Sequence, residues 1–327
     1  MRNRTVYLCA LSVLALVSVA AGEITWSVEY TDAAGSGFYD AQLGSARQAA
    51  FQRALDAWSF VLNSNVTIRL KAGFESLGGS TTNATLGSAA PDGVHKDFAG
   101  AAAGVYYPAA LADAIAGAEL GSGASDMHMT FNVDIDGYAL GDAGWSYAED
   151  GPTRAGDIDF QTVAMHEIAH GLGFYATFKA DGSYGIYGGT PMIMDTLLVT
   201  ADGVRLIDQQ TDSETVTGDV YFAGENAVEE WTKIDRSGLP VMYAPYLFSA
   251  SSSLSHVDTK WFRGPYSLMR PWYDDYAIRM VDNITLGMLE DMGWSVNYPH
   301  APEPTVTVIL AMTGLLVLRR RRVLKAR

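Results

Sequence analysis

Between Asp157 and Phe174 the chain reads Asp-Ile-Asp-Phe-Gln-Thr-Val-Ala-Met-His-Glu-Ile-Ala-His-Gly-Leu-Gly-Phe. No other stretch constrains the fold as strongly. Asp157 or Asp159 can cap a helix whose body, from Gln161 to Leu172, is rich in good helix formers. On that helix His166 and His170 stand four residues apart and share one face, so both imidazoles can bind one Zn2+. Glu167 is then beside the metal, as a general base toward an activated water and not as a ligand. A catalytic zinc needs a third protein ligand and one open position. Gly173 can turn the chain out of the helix, but Ala176, where a contiguous three-histidine motif places its last ligand, cannot coordinate. His95, His128, His256, His300, Asp181 and Asp195 remain as candidates, with Asp195 in Pro191-Met-Ile-Met-Asp195 next in line should His256 not serve.

The charge distribution separates two ends from the middle. The 327 residues carry 22 basic and 37 acidic side chains. Arg2, Arg4, Arg319, Arg320, Arg321, Arg322, Lys325 and Arg327 all lie near the ends, so residues 23 to 300 retain 14 basic and 36 acidic residues, a net −22. A surface that acidic repels phosphate backbones, and nucleic acid is not an expected partner. Arg2 and Arg4 precede the run Val6 to Ala20 and the small residues Ala20, Ala21 and Gly22, the pattern of a secretory signal peptide over residues 1–22. The one cysteine, Cys9, lies inside it, so the exported domain is expected to fold without disulfides. At the other end, Pro302-Glu303-Pro304, an uncharged run from Thr305 to Leu318 and the arginines 319–322 resemble the PEP-CTERM sorting signals of Gram-negative bacteria. That resemblance implies exosortase-type sorting machinery as a partner for residues 301–327, transient membrane association through a transmembrane-type segment, and delivery to the cell surface, outer membrane, extracellular matrix or medium.

Periodicity predicts a long amphipathic helix over Asp40–Leu62, a strand over Asn65–Leu70, a helix over Val105–Ala118 and a strand over Met127–Val133. Gly73 to Gly104 is too rich in Gly, Ala, Ser and Thr to assign. The order fits a mixed sheet backed by helices. The acidic loop of Asp134, Asp136 and Asp142 offers carboxylates to Ca2+ but lacks the spacing and terminal Glu of an EF-hand, so it reads as a solvated turn with calcium as the alternative. Tyr243, Tyr266 and Tyr273 are candidate oxyanion donors among 17 tyrosines.

Three segments of the C-terminal third carry a resemblance: Ser255-His256-Val257-Asp258, Ser267-Leu-Met269-Arg-Pro271, and Ile284-Thr-Leu-Gly-Met-Leu-Glu-Asp-Met-Gly-Trp294. In this order, after the His166–Gly173 motif, they resemble leishmanolysin-type metallopeptidases of the metzincin class. In that family a long insertion separates the helix motif from the third histidine. The resemblance implies His166, His170 and His256 as zinc ligands, Glu167 as general base and Met269 as the Met-turn residue. It covers roughly Asp157 to Trp294, with Val257 and Asp258 replacing the usual Trp and Glu, and without the family's cysteines. The implied fold is α+β, a zincin-like catalytic domain with a mixed twisted sheet and an active-site helix. Residues 23–180 would form the N-terminal subdomain, and residues 181–300 an insertion, hairpin-rich around Thr200–Gly203, with the C-terminal subdomain. The implied function is a secreted zinc metalloendopeptidase acting on polypeptides. The alternative is a non-catalytic zinc-containing surface or biofilm-matrix protein.

Overall fold

The computed structural model describes residues 22–299 except 123, 124, 210, 211, 274 and 275. The expected signal peptide, Gly22 apart, and the C-terminal sorting segment lie outside the described residues, as does His300. Among the described residues no helix is long and apolar enough to cross a membrane.

The chain is α+β. Its sheet is built from β1 (Trp26–Tyr30), β2 (Ile68–Glu75), β3 (Gly87–Pro91) and β4 (Met127–Asn132), in the order β1-β2-β4-β3. β1, β2 and β4 run parallel, while β3 lies antiparallel to β4 at one edge. β2 is longer than its period-2 pattern suggested and starts later. Asp126 Oδ2 and the Arg69 backbone N–H, 2.7 Å apart, tie β2 to the start of β4. The predicted helix from Val105 begins only at Ala109, because Tyr107 precedes a proline and is held extended against His95. The unassigned stretch from Gly73 to Gly104 supplies the edge strand β3: its small side chains carry no hydrophobic alternation for sequence reading to detect.

Two helices lie against one another beside the sheet: α1 (Gly44–Val61) and α3 (Phe160–Gly171), with α2 (Ala109–Ala116) between them in sequence. Phe38, Phe51, Phe74, Phe131 and Phe160 fill the space, with Phe74 stacked on Phe160 at 5.6 Å between ring centres. α3 is buried along nearly its whole length, His166 alone being partly open. Such a helix satisfies its polar groups through protein partners. Trp58 Nε1 on α1 donates to the Met165 carbonyl at 3.1 Å, and Trp294 Nε1 donates to the Leu172 carbonyl at 3.0 Å.

Of the two candidate caps, Asp159 is the N-cap. Its Oδ1 accepts from Thr162 N at 2.8 Å and Thr162 Oγ1 at 2.7 Å, while Asp157 pairs with Arg154 and Gly144 N instead. Asp159 is fully buried and is neutralised by Arg279, whose Nη1 and Nη2 each reach one carboxylate oxygen at 2.8 Å. This two-pronged pair fastens residue 279 to the start of α3.

Beyond α3 the chain forms a ladder of short antiparallel segments. β5 (Leu198–Thr200) pairs with β6 (Val220–Phe222), residues 241 and 242 bridge to Tyr221 and Val257, and a tight turn joins Thr200 to Val204 as expected for a hairpin there. Helices α4 (Glu225–Lys233) and α5 (Asn283–Met292) pack together, α5 being capped by Asp282 through Thr285 N at 2.9 Å and closed by left-handed Gly293.

Because Asp159 is buried while its partner Arg279 is partly exposed, removing the cation leaves an uncompensated carboxylate in the interior. Replacing Arg279 by Met is expected to lower unfolding stability by about 3 kcal/mol, seen as a reduced denaturation midpoint. An unchanged midpoint would show that the pair contributes nothing.

Candidate metal centre

His166 and His170 project from α3 one turn apart, and His256 arrives from the ladder. Its segment is set by Tyr243 N donating to the His256 carbonyl at 2.8 Å, Leu254 N donating to the Tyr243 carbonyl at 2.8 Å and Val257 N donating to the Met269 carbonyl at 2.8 Å. A further bond closes the interrupted motif in space. Ala176 N, at the position that cannot coordinate, donates to Ser255 Oγ at 3.0 Å, which places His256 beside the exit of α3. Gly173 makes that exit: its φ of +116° lies in the region that favours glycine, and Phe174 N returns to the Ala169 carbonyl at 2.9 Å.

The three Nε2 atoms face one another at 3.0, 3.2 and 3.2 Å. These contacts are not hydrogen bonds. His166 Nδ1 faces the Leu268 carbonyl at 2.6 Å, His170 Nδ1 the Phe174 carbonyl at 2.7 Å and His256 Nδ1 the Ser252 carbonyl at 2.8 Å. A carbonyl only accepts, so each Nδ1 carries the proton and each neutral ring presents an Nε2 lone pair. Burial pushes all three imidazoles down, His170 to about 3, so the rings are neutral at ordinary pH. Three converging lone pairs repel unless a cation lies among them. Their separations fall a few tenths short of the roughly 3.3 Å between nitrogens that each lie about 2.0–2.1 Å from one tetrahedral ion. The residues therefore fit a metal ion.

Glu167 is not part of this ligand group. Its side chain is 5% exposed, burial pushes its carboxyl up to about 8, and it accepts no hydrogen bond from the described residues. Met269 is wholly buried. The main chain of Leu268 and Met269 links two of the three histidines, since the Leu268 carbonyl braces His166 and the Met269 carbonyl receives Val257 N, next to His256. The bracing carbonyls of Phe174, Ser252 and Leu268 escaped sequence reading, because a main-chain acceptor has no residue signature.

The other candidates lie elsewhere. Asp195 is fully buried and accepts from Thr177 N at 2.8 Å, Met192 N at 2.8 Å and Thr177 Oγ1, so it braces the chain after α3 and does not complete the metal group. Burial pushes its carboxyl up to about 6. His95 sits in a short strand opposite Tyr107, His128 contacts Asp92, and Asp181 caps Ser183. The acidic loop does not gather a calcium site. Asp134 holds Ser76 and Gly78 N, Asp136 pairs with Arg47 at 2.8 Å, and the Asp142 carbonyl accepts from Arg154. Asp113, Glu119 and Asp126 do approach one another, but Arg69 engages Glu119 and its N–H engages Asp126. Among the tyrosines, Tyr273 Oη accepts from Asp159 N at 3.3 Å, at the far end of α3. Tyr266 lines a surface groove with Lys233 and Asn283. Tyr243 adjoins His256 through its backbone and packs its ring edge-on to Trp272.

No family model matches the chain, and no curated protein matches it.

A titration with Zn2+ checks the ligand set. Excess metal at about 100 times its dissociation constant is expected to add about 2.7 kcal/mol of stability. His256→Ala removes most of that gain, and Asp195→Asn keeps it. The reverse pattern would return the third position to Asp195.

Proposed function

We propose that the protein is an exported zinc-dependent metalloendopeptidase of the metzincin type, with a zincin-like catalytic domain resembling leishmanolysins. His166, His170 and His256 hold the Zn2+, Glu167 is the general base and Met269 marks the Met-turn. The observation that carries this reading is the contrast between the three braced histidines and the unbraced Glu167. Every imidazole Nδ1 has a carbonyl partner, while the neighbouring carboxylate has no donor among the described residues. A purely structural zinc site is closed by a fourth protein ligand and has no use for such a base. Among the described residues the candidate ligand group contains three histidines and no fourth side chain.

Bound there, Zn2+ supplies Lewis acidity toward the scissile carbonyl, activates a water for attack, and adds positive charge that favours ionised Glu167 against its burial. Glu167 takes the proton of the attacking water and returns it to the leaving amine. The carbonyls of Leu268, Phe174 and Ser252 hold the three rings in one tautomer and one orientation, so no reorganisation is needed during turnover. The edge strand β3 reaches Glu167 through Gly87 and brings an open strand edge to the site. An extended polypeptide is the substrate class that such an edge suits.

Residues 1–22 as a signal peptide and residues 301–327 as a PEP-CTERM-like segment support export, with exosortase-type machinery as the partner of the second. The mature domain is cysteine-free and net negative, which suits work outside the cytoplasm without disulfides.

Casein or gelatin hydrolysis by the exported domain tests the reading. Chelation is expected to abolish turnover and added Zn2+ to restore it. Glu167→Ala is expected to lower kcat by at least about 100-fold, the lower end for loss of a general base, while the metal stays bound. Metal-loaded protein that cleaves no peptide would instead favour a non-catalytic surface or matrix protein.

A further inference from the structure

Glu167 carries the proposed chemistry yet no described residue hydrogen-bonds it, so some other contact must set its rotamer. That contact is with the edge strand. Gly87, the first residue of β3, lies opposite Phe131 of β4. A Cβ placed on it would stand 2.9 Å from Glu167 Oε1 and 3.1 Å from both Cδ and Cγ. Real Cβ atoms essentially never come within 3.0 Å of another heavy atom, and 3.1 Å is already a crowded contact. The backbone of Gly87 is therefore itself the wall against which the carboxylate rests.

Two observations make this a requirement of the site. Gly87 does not adopt a left-handed φ, so the backbone alone does not call for glycine, and glycine within a strand weakens it. A strand glycine without such a φ marks a close approach. The close approach continues along the helix. One turn beyond Glu167, Gly171 of α3 is likewise pressed on Met127 of β4, where a Cβ would overlap the Met127 side chain. Residue 89, two along β3 and on the same face as residue 87, accepts a methyl group packed against the core. Only the position facing Glu167 excludes one.

We infer that Gly87 is a positioning residue that fixes the Glu167 carboxylate beside the three histidines. The kinetic part of this inference rests on the hydrolytic reading above, and its structural part does not. Gly87→Ala pushes the carboxylate aside without touching a ligand.

Four proteins test it: wild type, Gly87→Ala, Glu167→Asp and the double variant. In crystals of the zinc-loaded proteins, Gly87→Ala is expected to displace the Glu167 carboxylate while the Nε2 triangle keeps its dimensions. Its kcat is expected to fall about 100-fold, the scale of an ångström misplacement, with KM within about twofold and zinc content unchanged. In the Glu167→Asp background, where the shorter side chain leaves room for the methyl group, the same substitution is expected to change kcat by less than about twofold. Should Gly87→Ala fold poorly, Gly87→Ala/Glu167→Ala is expected to recover the lost Tm. An undisplaced carboxylate, losses that multiply in the double variant, or a Tm deficit that survives removal of Glu167 would each overturn the inference. A wild type that hydrolyses nothing would sink the hydrolytic reading, and the crystals alone would then decide the position of Glu167.

Discussion

A helix buried along nearly its whole length can carry polar side chains only where the rest of the fold meets them, and α3 carries a capping aspartate, two histidines and a glutamate. Much of the molecule answers that constraint. Asp159 is met by Arg279 from the C-terminal third, His166 by the Leu268 carbonyl and His170 by the chain's own exit at Phe174. Trp58 and Trp294 seal the helix with indole donors to its carbonyls. Left unmet in a low-dielectric interior, each group would be a penalty comparable to a lost hydrogen bond or more. Long-range contacts thus converge on α3 because its polarity leaves no other stable arrangement.

The same logic explains how a histidine 86 residues beyond His170 can join it. Closing a long loop costs entropy that grows only with the logarithm of its length, so the intervening segment is a modest burden if its end is well held. It is held by main-chain pairing: residues 241–243 lie between the 220–222 strand and the 254–258 segment, and Ser255 fastens that segment to Ala176. The departures at Val257 and Asp258 follow from this. Val257 is a buried ladder residue bonded to Met269, and Asp258 faces outward to cap Lys260 N and Trp261 N. Val257 needs no aromatic ring for His256 to be placed, and Asp258 keeps an acid at its position as a turn cap.

What was legible in the sequence follows from which interactions have side-chain signatures. His166, Glu167, His170 and the helix beneath them could be read from spacing, because a metal site on a helix imposes the period of the helix. His256 could be chosen over Asp195 only through resemblance, since neither a serine-rich run before one nor apolar neighbours around the other distinguish a metal-facing side chain from a buried brace. The strand β3 was invisible: its Gly-Ser-Ala-Ala-Pro sequence lacks both alternation and branching, and pairing to β4 alone makes it a strand. The acidic loop is a case where sequence left calcium open only as the alternative to a turn. Asp134 and Asp136 look like a cation site in sequence, but the fold supplies Gly78 N, Ser76 and Arg47 in place of an ion.

The carboxylate of Glu167, unmet among the described residues, is then the exception that needs a cause. A protein that braces Asp159, Asp195 and Asp282 with two or more bonds each has the means to brace one more acid on the same helix. A donor to Glu167 would stabilise the fold and would also occupy the lone pairs through which a base receives a proton. Steric confinement against Gly87 fixes the side chain without using those lone pairs. A glycine in an edge strand and an unpaired acid beneath it each weaken the fold when taken alone. Together they form an acid held by contact, with no donor on its lone pairs among the described residues, and the proposed base role would account for both choices at once.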